Sequence, residues 1–148
     1  MNTVLYYVGI FGALVALLVG ASIPLFIRDE RKRKRQILLA FAGREPLDKQ
    51  SFYGRYFQPR GVPADVVLRI RRILETVLDA DMSRLRPEDD FTGKLKFFFE
   101  HDELSGVYIV DEIEKEFGIT ISDEEASRMH TISDIVTVTW AKLQQRAA

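Results

Sequence analysis

The chain has no cysteine and only two histidines, His101 and His130, among its 148 residues. The lack of cysteine excludes disulfides, thiolate catalysis and cysteine metal sites. Two histidines do not make a histidine-rich metal site, and the acidic residues do not follow the spacing of a calcium-binding loop. The many carboxylates have no histidine, lysine or phosphate-binding loop at useful spacing. We therefore read them as a solvated surface and predict no enzyme activity, no cofactor and no metal.

Charge is absent from Thr3 to Ile27, a run of 25 residues that is mostly apolar. About 20 apolar residues cross a bilayer core as a helix. A cleaved signal peptide is the alternative, but the residues before the run carry no basic side chain and the run is longer than such peptides use. We therefore predict a transmembrane helix over residues 1–28.

Small residues recur every four positions along this predicted span, at Gly12, Ala16 and Gly20. Small residues at this spacing let two helices approach closely. The pattern predicts a packing face for another transmembrane helix, from a second copy or from a different protein. The alternative is that glycine and alanine are simply common in membrane helices.

Six basic residues follow the predicted span: Arg28, Arg31, Lys32, Arg33, Lys34 and Arg35. The positive-inside rule places such a cluster on the cytoplasmic side. We therefore expect a single-pass protein of the cell's inner (plasma) membrane, with its N-terminus outside and its C-terminal domain in the cytoplasm. The basic residues would contact anionic membrane lipids. We expect no nucleic-acid partner, because a position beside a span already accounts for the basic run.

The net charge of −1 hides two oppositely charged segments. Residues 28–72 contain 13 basic and 5 acidic residues, a net charge of +8, whereas residues 73–148 contain 8 basic and 17 acidic residues, a net charge of −9. The acidic segment suits a basic protein partner. Within a basic connector over residues 29–62, four aromatic residues lie on one face of a short predicted helix: Phe52, Tyr53, Tyr56 and Phe57. We expect this face to pack on the C-terminal domain, with a docking surface as the alternative.

The apolar periodicity of residues 63–146 predicts a small bundle of four helices. The first begins at Pro63, since proline fits the first turn of a helix. The second runs from Glu103 to Phe117, with Asp102 as its N-cap. A short third helix follows Ser122, and the fourth runs from about residue 131 to residue 145. The predicted fold is therefore all-α: an N-terminal transmembrane helix, a basic juxtamembrane connector and a four-helix domain.

This C-terminal domain resembles an acyl carrier protein over residues 64–143. The resemblance rests on the order of the segments LDAD, RPEDDF, EIEKEFGITI, SDEEA and TISDIV, which begin at residues 78, 86, 112, 122 and 131. It implies a helical bundle whose second helix meets protein partners. It also implies a site for phosphopantetheine on a serine within an Asp-Ser-Leu signature at the start of that helix.

The chain departs from the family at this attachment site. Asp102 and Leu104 match the signature, but Glu103 occupies the position of the serine. A carboxylate cannot form the phosphodiester that a hydroxyl forms. Ser105 is a weak substitute, because a shift of two residues rotates the helix by about 200° and moves its apolar stripe off the core. The preceding loop is also longer than in carriers, and the segment from Lys94 to Phe99 contains the insertion.

We therefore predict a non-catalytic, membrane-anchored, acyl-carrier-like adaptor or accessory subunit that binds a membrane-associated protein or complex. The alternative is a membrane-tethered carrier that is modified on a non-standard serine. The acidic second helix and the inserted phenylalanines supply the predicted partner-binding residues: Asp102, Glu103, Val107, Asp111, Glu112, Glu114, Phe97 and Phe98. Glu103 would then maintain an acidic recognition surface without a cofactor, or would simply be a favourable residue in a first helical turn.

Overall fold

The computed structural model describes residues 28–100 and 104–147, together with Ala13 and Ala16. The chain divides into two compact units, Met1–Leu39 and Ala40–Ala148. Residues 28–40 form helix α1, whose last residue already belongs to the second unit. Within residues 28–39 most side chains are exposed, including Leu38 and Leu39. The basic residues that were predicted to contact lipid are also exposed, except Arg33, which is half-buried.

Among the residues that the structure describes, no helix is both long enough and apolar enough to cross a membrane. On this finding the predicted transmembrane helix is wrong, and so is the single-pass location in the inner membrane that depended on it. The predicted span lies outside the described residues apart from Ala13 and Ala16, as do Gly12 and Gly20 of the predicted packing face. Ala16 is an exposed helical residue.

The described part of the second unit is helical, as predicted. It contains one isolated bridge, between Asp90 and Thr131. The α-helices are α2 (Lys49–Tyr56), α3 (Ala64–Val77), α4 (Ser105–Phe117), α5 (Asp123–Ala126) and α6 (Ile132–Ala147), with single 3-10 turns at Gln58–Arg60 and Lys96–Phe98.

Helix α3 is central, because it packs against α2, α4 and α6. Pro63 precedes it in an extended conformation, and Asp65 lies in its first turn, where a negative charge is favourable. Its buried apolar positions recur at helical spacing, so one face of the helix meets the core. These positions are Val66, Val67, Ile70, Ile73 and Leu74.

The aromatic connector belongs to the same unit as the bundle. Phe52 of α2 and Phe57 are fully buried, which confirms that this aromatic face packs on the C-terminal domain. Arg71 of α3 is also buried; it donates a hydrogen bond to the Leu47 carbonyl and lies 5.0 Å from the Phe52 ring centroid. The compact unit therefore begins at Ala40, before the sequence-based boundary at residue 63.

The long segment between α3 and α4 contributes to the core through Met82, Leu85, Phe91 and Leu95. Phe97 and Phe98 are also buried, with only 7% and 4% of their surface exposed. This burial corrects the prediction that both side chains belong to a partner-binding surface. The 3-10 turn at Lys96–Phe98 turns both rings inward, where their centroids lie 4.5 Å apart.

Candidate protein-binding surface

Helix α4 carries the candidate surface. Its buried side is built from Ile109, Ile113 and Phe117, which recur every four residues, and it ends at Gly118 in the left-handed conformation at φ +62°. The helix was predicted to begin at Glu103, but its first described helical residue is Ser105. Asp102 and Glu103 lie outside the described residues, so their predicted roles as N-cap and recognition carboxylate stay predictions.

Two arginines of α3 fix the C-terminal end of α4. Arg69 donates from Nε to Glu116 Oε1 at 2.7 Å and from Nη2 to the Glu116 carbonyl at 2.7 Å. Arg72 reaches the same carboxylate oxygen at 2.5 Å. The hydrogen bond from Arg69 lowers the pKa of Glu116, with a smaller contribution from Arg72. The Arg69 guanidinium also lies 4.6 Å from the Phe117 ring centroid. Together these contacts hold the C-terminal end of α4 against α3.

The solvent side of α4 begins with an apolar stripe. Leu104, Val107 and Tyr108 are 55%, 62% and 49% exposed. With Asp111 they occupy positions i, i+3, i+4 and i+7, which lie on one side of a helix. We call Leu104, Val107, Tyr108 and Asp111 the binding stripe. Contiguous exposed apolar residues of this kind often mark a protein interaction site.

Acidic residues continue this surface toward the C-terminal end of the helix. Asp111 and Glu112 lie 2.6 and 3.3 Å from the Lys115 ammonium, and the hydrogen bond that Lys115 donates to Asp111 is the larger cause of its raised pKa. Both carboxylates remain about half exposed. Glu114 has a different role, because its Oε1 accepts a hydrogen bond from the Ile121 backbone N–H at 2.6 Å and so fixes the turn after the helix.

A groove of about 860 Å³ lies beside the binding stripe. Four separate parts of the chain line it: the loop around residues 91–99, one side of α4, the segment from residue 121 to residue 129, and Ile135 of α6. Its apolar lining includes Phe91, Phe99, Val107, Ile121, Ala126 and Met129. The groove was not predicted from the sequence, because its walls come together only in the folded chain.

Ser105 is the hydroxyl-bearing residue next to the predicted attachment position. It is the first residue of α4 and only 5% of its surface is exposed. A buried hydroxyl is not available to a modifying enzyme, so the geometry disfavours Ser105 as a point of attachment. The residues described in the structure also contain no cluster of acidic or histidine side chains that could hold a metal ion.

These features define a small helical domain whose exposed helix follows a long loop. No family model matches the chain. The chain is 29% identical to the acyl carrier protein of Thermosynechococcus vestitus over 73 residues, which cover 49% of this chain and 85% of that protein. This similarity supports the presence of an acyl-carrier-like domain, and it relates the chain to a carrier rather than to a catalyst.

Proposed function

We propose that this chain is a non-catalytic, acyl-carrier-like adaptor or accessory subunit that binds a protein partner through α4. The observation that carries the proposal is the apolar and acidic solvent side of this helix. Apolar residues at the start of a helix contribute little to the fold when they are half exposed, whereas at an interface their burial is favourable by about 25 cal/mol per Å².

The sequence at the attachment position supports a function without a carried group. Glu103 replaces the serine of the family, and the neighbouring Ser105 is buried. The partner would be basic, since residues 73–148 carry a net charge of −9 and Asp111 and Glu112 lie next to the apolar residues of α4. Opposite charges of this kind steer association and help to fix the register of an interface.

The first test is intact-mass spectrometry of the full chain after co-expression with a phosphopantetheinyl transferase. A conventional acyl carrier protein, expressed in the same cells, is the positive control. We expect the control to gain one phosphopantetheine and this chain to remain unmodified. A stoichiometric gain by this chain would overturn the cofactor-free function.

A second candidate function is a carrier that is modified on a non-standard serine, and the similarity to an acyl carrier protein favours it. The same mass measurement separates the two functions. If the chain gains the prosthetic group, peptide mapping identifies the serine, and replacement of that serine by alanine should abolish the gain.

The second test concerns the binding surface. The double variant Asp111→Asn, Glu112→Gln removes two carboxylates beside the apolar stripe. The matched control, Glu45→Gln, Glu88→Gln, removes two exposed carboxylates elsewhere. We expect chemical cross-linking to the partner to fall with the first variant and to persist with the second. Equal cross-linking by both variants would exclude α4 as the acidic contact.

Asp102 and Glu103 precede α4 in the sequence, and their carboxylates would add to this acidic surface. Glu103→Gln tests that extension, because glutamine keeps the size of the side chain and removes its charge. Unchanged partner cross-linking, with an unchanged circular dichroism spectrum, would show that Glu103 is only a favourable first-turn residue.

A further inference from the structure

The groove and the apolar end of the binding stripe form one continuous surface. Val107 and Tyr108 belong to both, since they are exposed on α4 and line the groove. A partner that covers the stripe therefore also faces the groove. The volume of about 860 Å³ lies within the range of binding pockets, so the groove has room for side chains of that partner.

The charges that line the groove select the kind of partner. Asp111, Glu114 and Asp123 line it on the α4 and α5 sides, whereas Lys96 is the cation among its lining residues. Farther along α5, Glu124 is exposed and forms a surface ion pair with Arg128. The excess of carboxylates disfavours an anionic ligand and favours a positively charged one.

Helix α4 presents an open side along its length of 13 residues. A second helix can lie along such a surface and direct residues at i, i+3, i+4 and i+7 into an adjacent groove. Asp111 is paired with Lys115 and Glu114 with the Ile121 N–H, but the lining as a whole still has three carboxylates against one lysine. The apolar lining and the acidic rim together fit a helix with one apolar and one basic side.

We propose that the groove receives the apolar side chains of a basic amphipathic helix supplied by the partner. This inference rests on the proposed function and specifies how the partner is recognised. The apolar side chains enter between the 91–99 loop, α4 and the segment from residue 121 to residue 129. The lysines or arginines of the helix face Asp111 and Asp123.

The experiment measures binding of a labelled synthetic peptide to the full chain by fluorescence anisotropy. The peptide has about 14 residues, with leucines at helical spacing and lysines on the other side. A control peptide has the same composition, with its leucines distributed evenly around the helix. We expect the amphipathic peptide to bind at least about tenfold more tightly than the control, and its affinity to fall as salt increases.

Ala126→Phe places a ring in the groove without changing the charge or the α4 surface. The matched control is Ala141→Phe, at an exposed position of α6 that does not line the groove. We expect the first variant to weaken peptide binding by at least about tenfold and the second to leave it unchanged. If Ala126→Phe does not fold by circular dichroism, Met129→Gln introduces a polar amide into the same groove and should weaken binding in the same direction.

The outcomes separate this inference from the proposed function. If charge removal at Asp111 and Glu112 abolishes peptide binding but filling the groove does not, the acidic surface binds partners and the groove proposal is overturned. If neither change affects binding, both proposals fail. Displacement of the peptide by a free fatty acid, or by an unlabelled second copy of this chain, would also overturn the helix as occupant.

Discussion

Arg44 and Asp89 lie 45 residues apart in the sequence, and the guanidinium of Arg44 donates two hydrogen bonds to the carboxylate of Asp89, at 2.6 and 2.9 Å. Asp89 is buried, whereas Arg44 is only partly covered. The hydrogen bond to Asp89 raises the pKa of Arg44, which keeps the guanidinium charged. This contact joins the segment after α1 to the loop that follows α3 within the second compact unit.

Removal of this arginine should destabilise the domain. Arg44→Met leaves the buried carboxylate of Asp89 without its main counter-charge, and we expect a loss of about 2–3 kcal/mol in the free energy of unfolding. Urea denaturation measures the change, with Arg55→Met on the solvent side of α2 as the control. Adding Asp89→Asn to the Arg44→Met variant should recover part of the lost free energy of unfolding. If the effects of the two substitutions on that free energy are simply additive, the two residues are not coupled.

The ion pair between α5 and α6 should make stability depend on acid pH. Lys142 lies 2.8 Å from Glu125, and its hydrogen bond is the main reason that the pKa of Glu125 falls from 4.5 to about 2; the Ser122 N–H contributes next. Because the pKa is lower in the folded chain, the stabilisation is complete above about pH 4.5. It is lost as the pH falls from about 4.5 to about 2.

Glu125→Gln removes that titration. The difference in melting temperature between the native chain and this variant should be largest above pH 4.5 and should shrink as the pH falls toward 2. Thermal melting at a series of pH values measures it, and Glu88→Gln reports the general effect of removing one exposed carboxylate. A difference that stays constant over this range would contradict the assigned ion pair.

Two glycines near the ends of α4 should respond to alanine in opposite directions. Gly118 ends the helix at φ +62°, and an added Cβ there would lie 2.8 Å from Arg146 Nη1, which donates to the carbonyls of Phe117 and Gly118. Gly118→Ala should therefore cost about 1–2 kcal/mol. Gly106 lies inside the helix with no atom within 4 Å of an added Cβ, so Gly106→Ala should stabilise by up to about 1 kcal/mol. Chemical denaturation distinguishes the signs, and destabilisation by both changes would contradict this assignment.

The burial of Phe98 predicts an effect on stability rather than on binding. Phe98→Ala leaves a cavity and should lower the free energy of unfolding by about 3 kcal/mol. Val107→Ala, at an exposed apolar position of the binding stripe, should change it by no more than about 0.5 kcal/mol. Urea denaturation measures the free energy of unfolding, and cross-linking to the partner measures binding separately. A Phe98→Ala variant that remains stable but loses its partner would support the surface role expected from the sequence.

Local sequence signals predicted the helices of the bundle well. The apolar periodicity of α3, the proline at its start and the serine before α5 all act within a few residues along the chain, and the structure confirms each of them. The extent of the compact unit was harder to predict. It depends on contacts such as Arg71 with Leu47, which are remote in sequence and leave no periodic pattern.

The candidate surface was predictable only in part. Val107, Asp111 and Glu112 follow from the helical pattern, because their positions on α4 are opposite its buried side. The groove was not predictable, since its walls come from four separate segments of the chain. Phe97 and Phe98 were misassigned because three consecutive phenylalanines resemble an exposed patch, whereas a 3-10 turn directs two of them inward.

The early start of the compact unit has a practical consequence for any shortened version of the chain. A fragment cut at Pro63, where the similarity to carriers would suggest trimming, removes Phe52 and Phe57 from the face of α3 and leaves the guanidinium of Arg71 without the Leu47 carbonyl. Such a fragment would expose the apolar face of α3 that packs against α2, and we expect it to aggregate. Its failure to fold would therefore say nothing about the fold of the full chain. Expression should start upstream of Ala40.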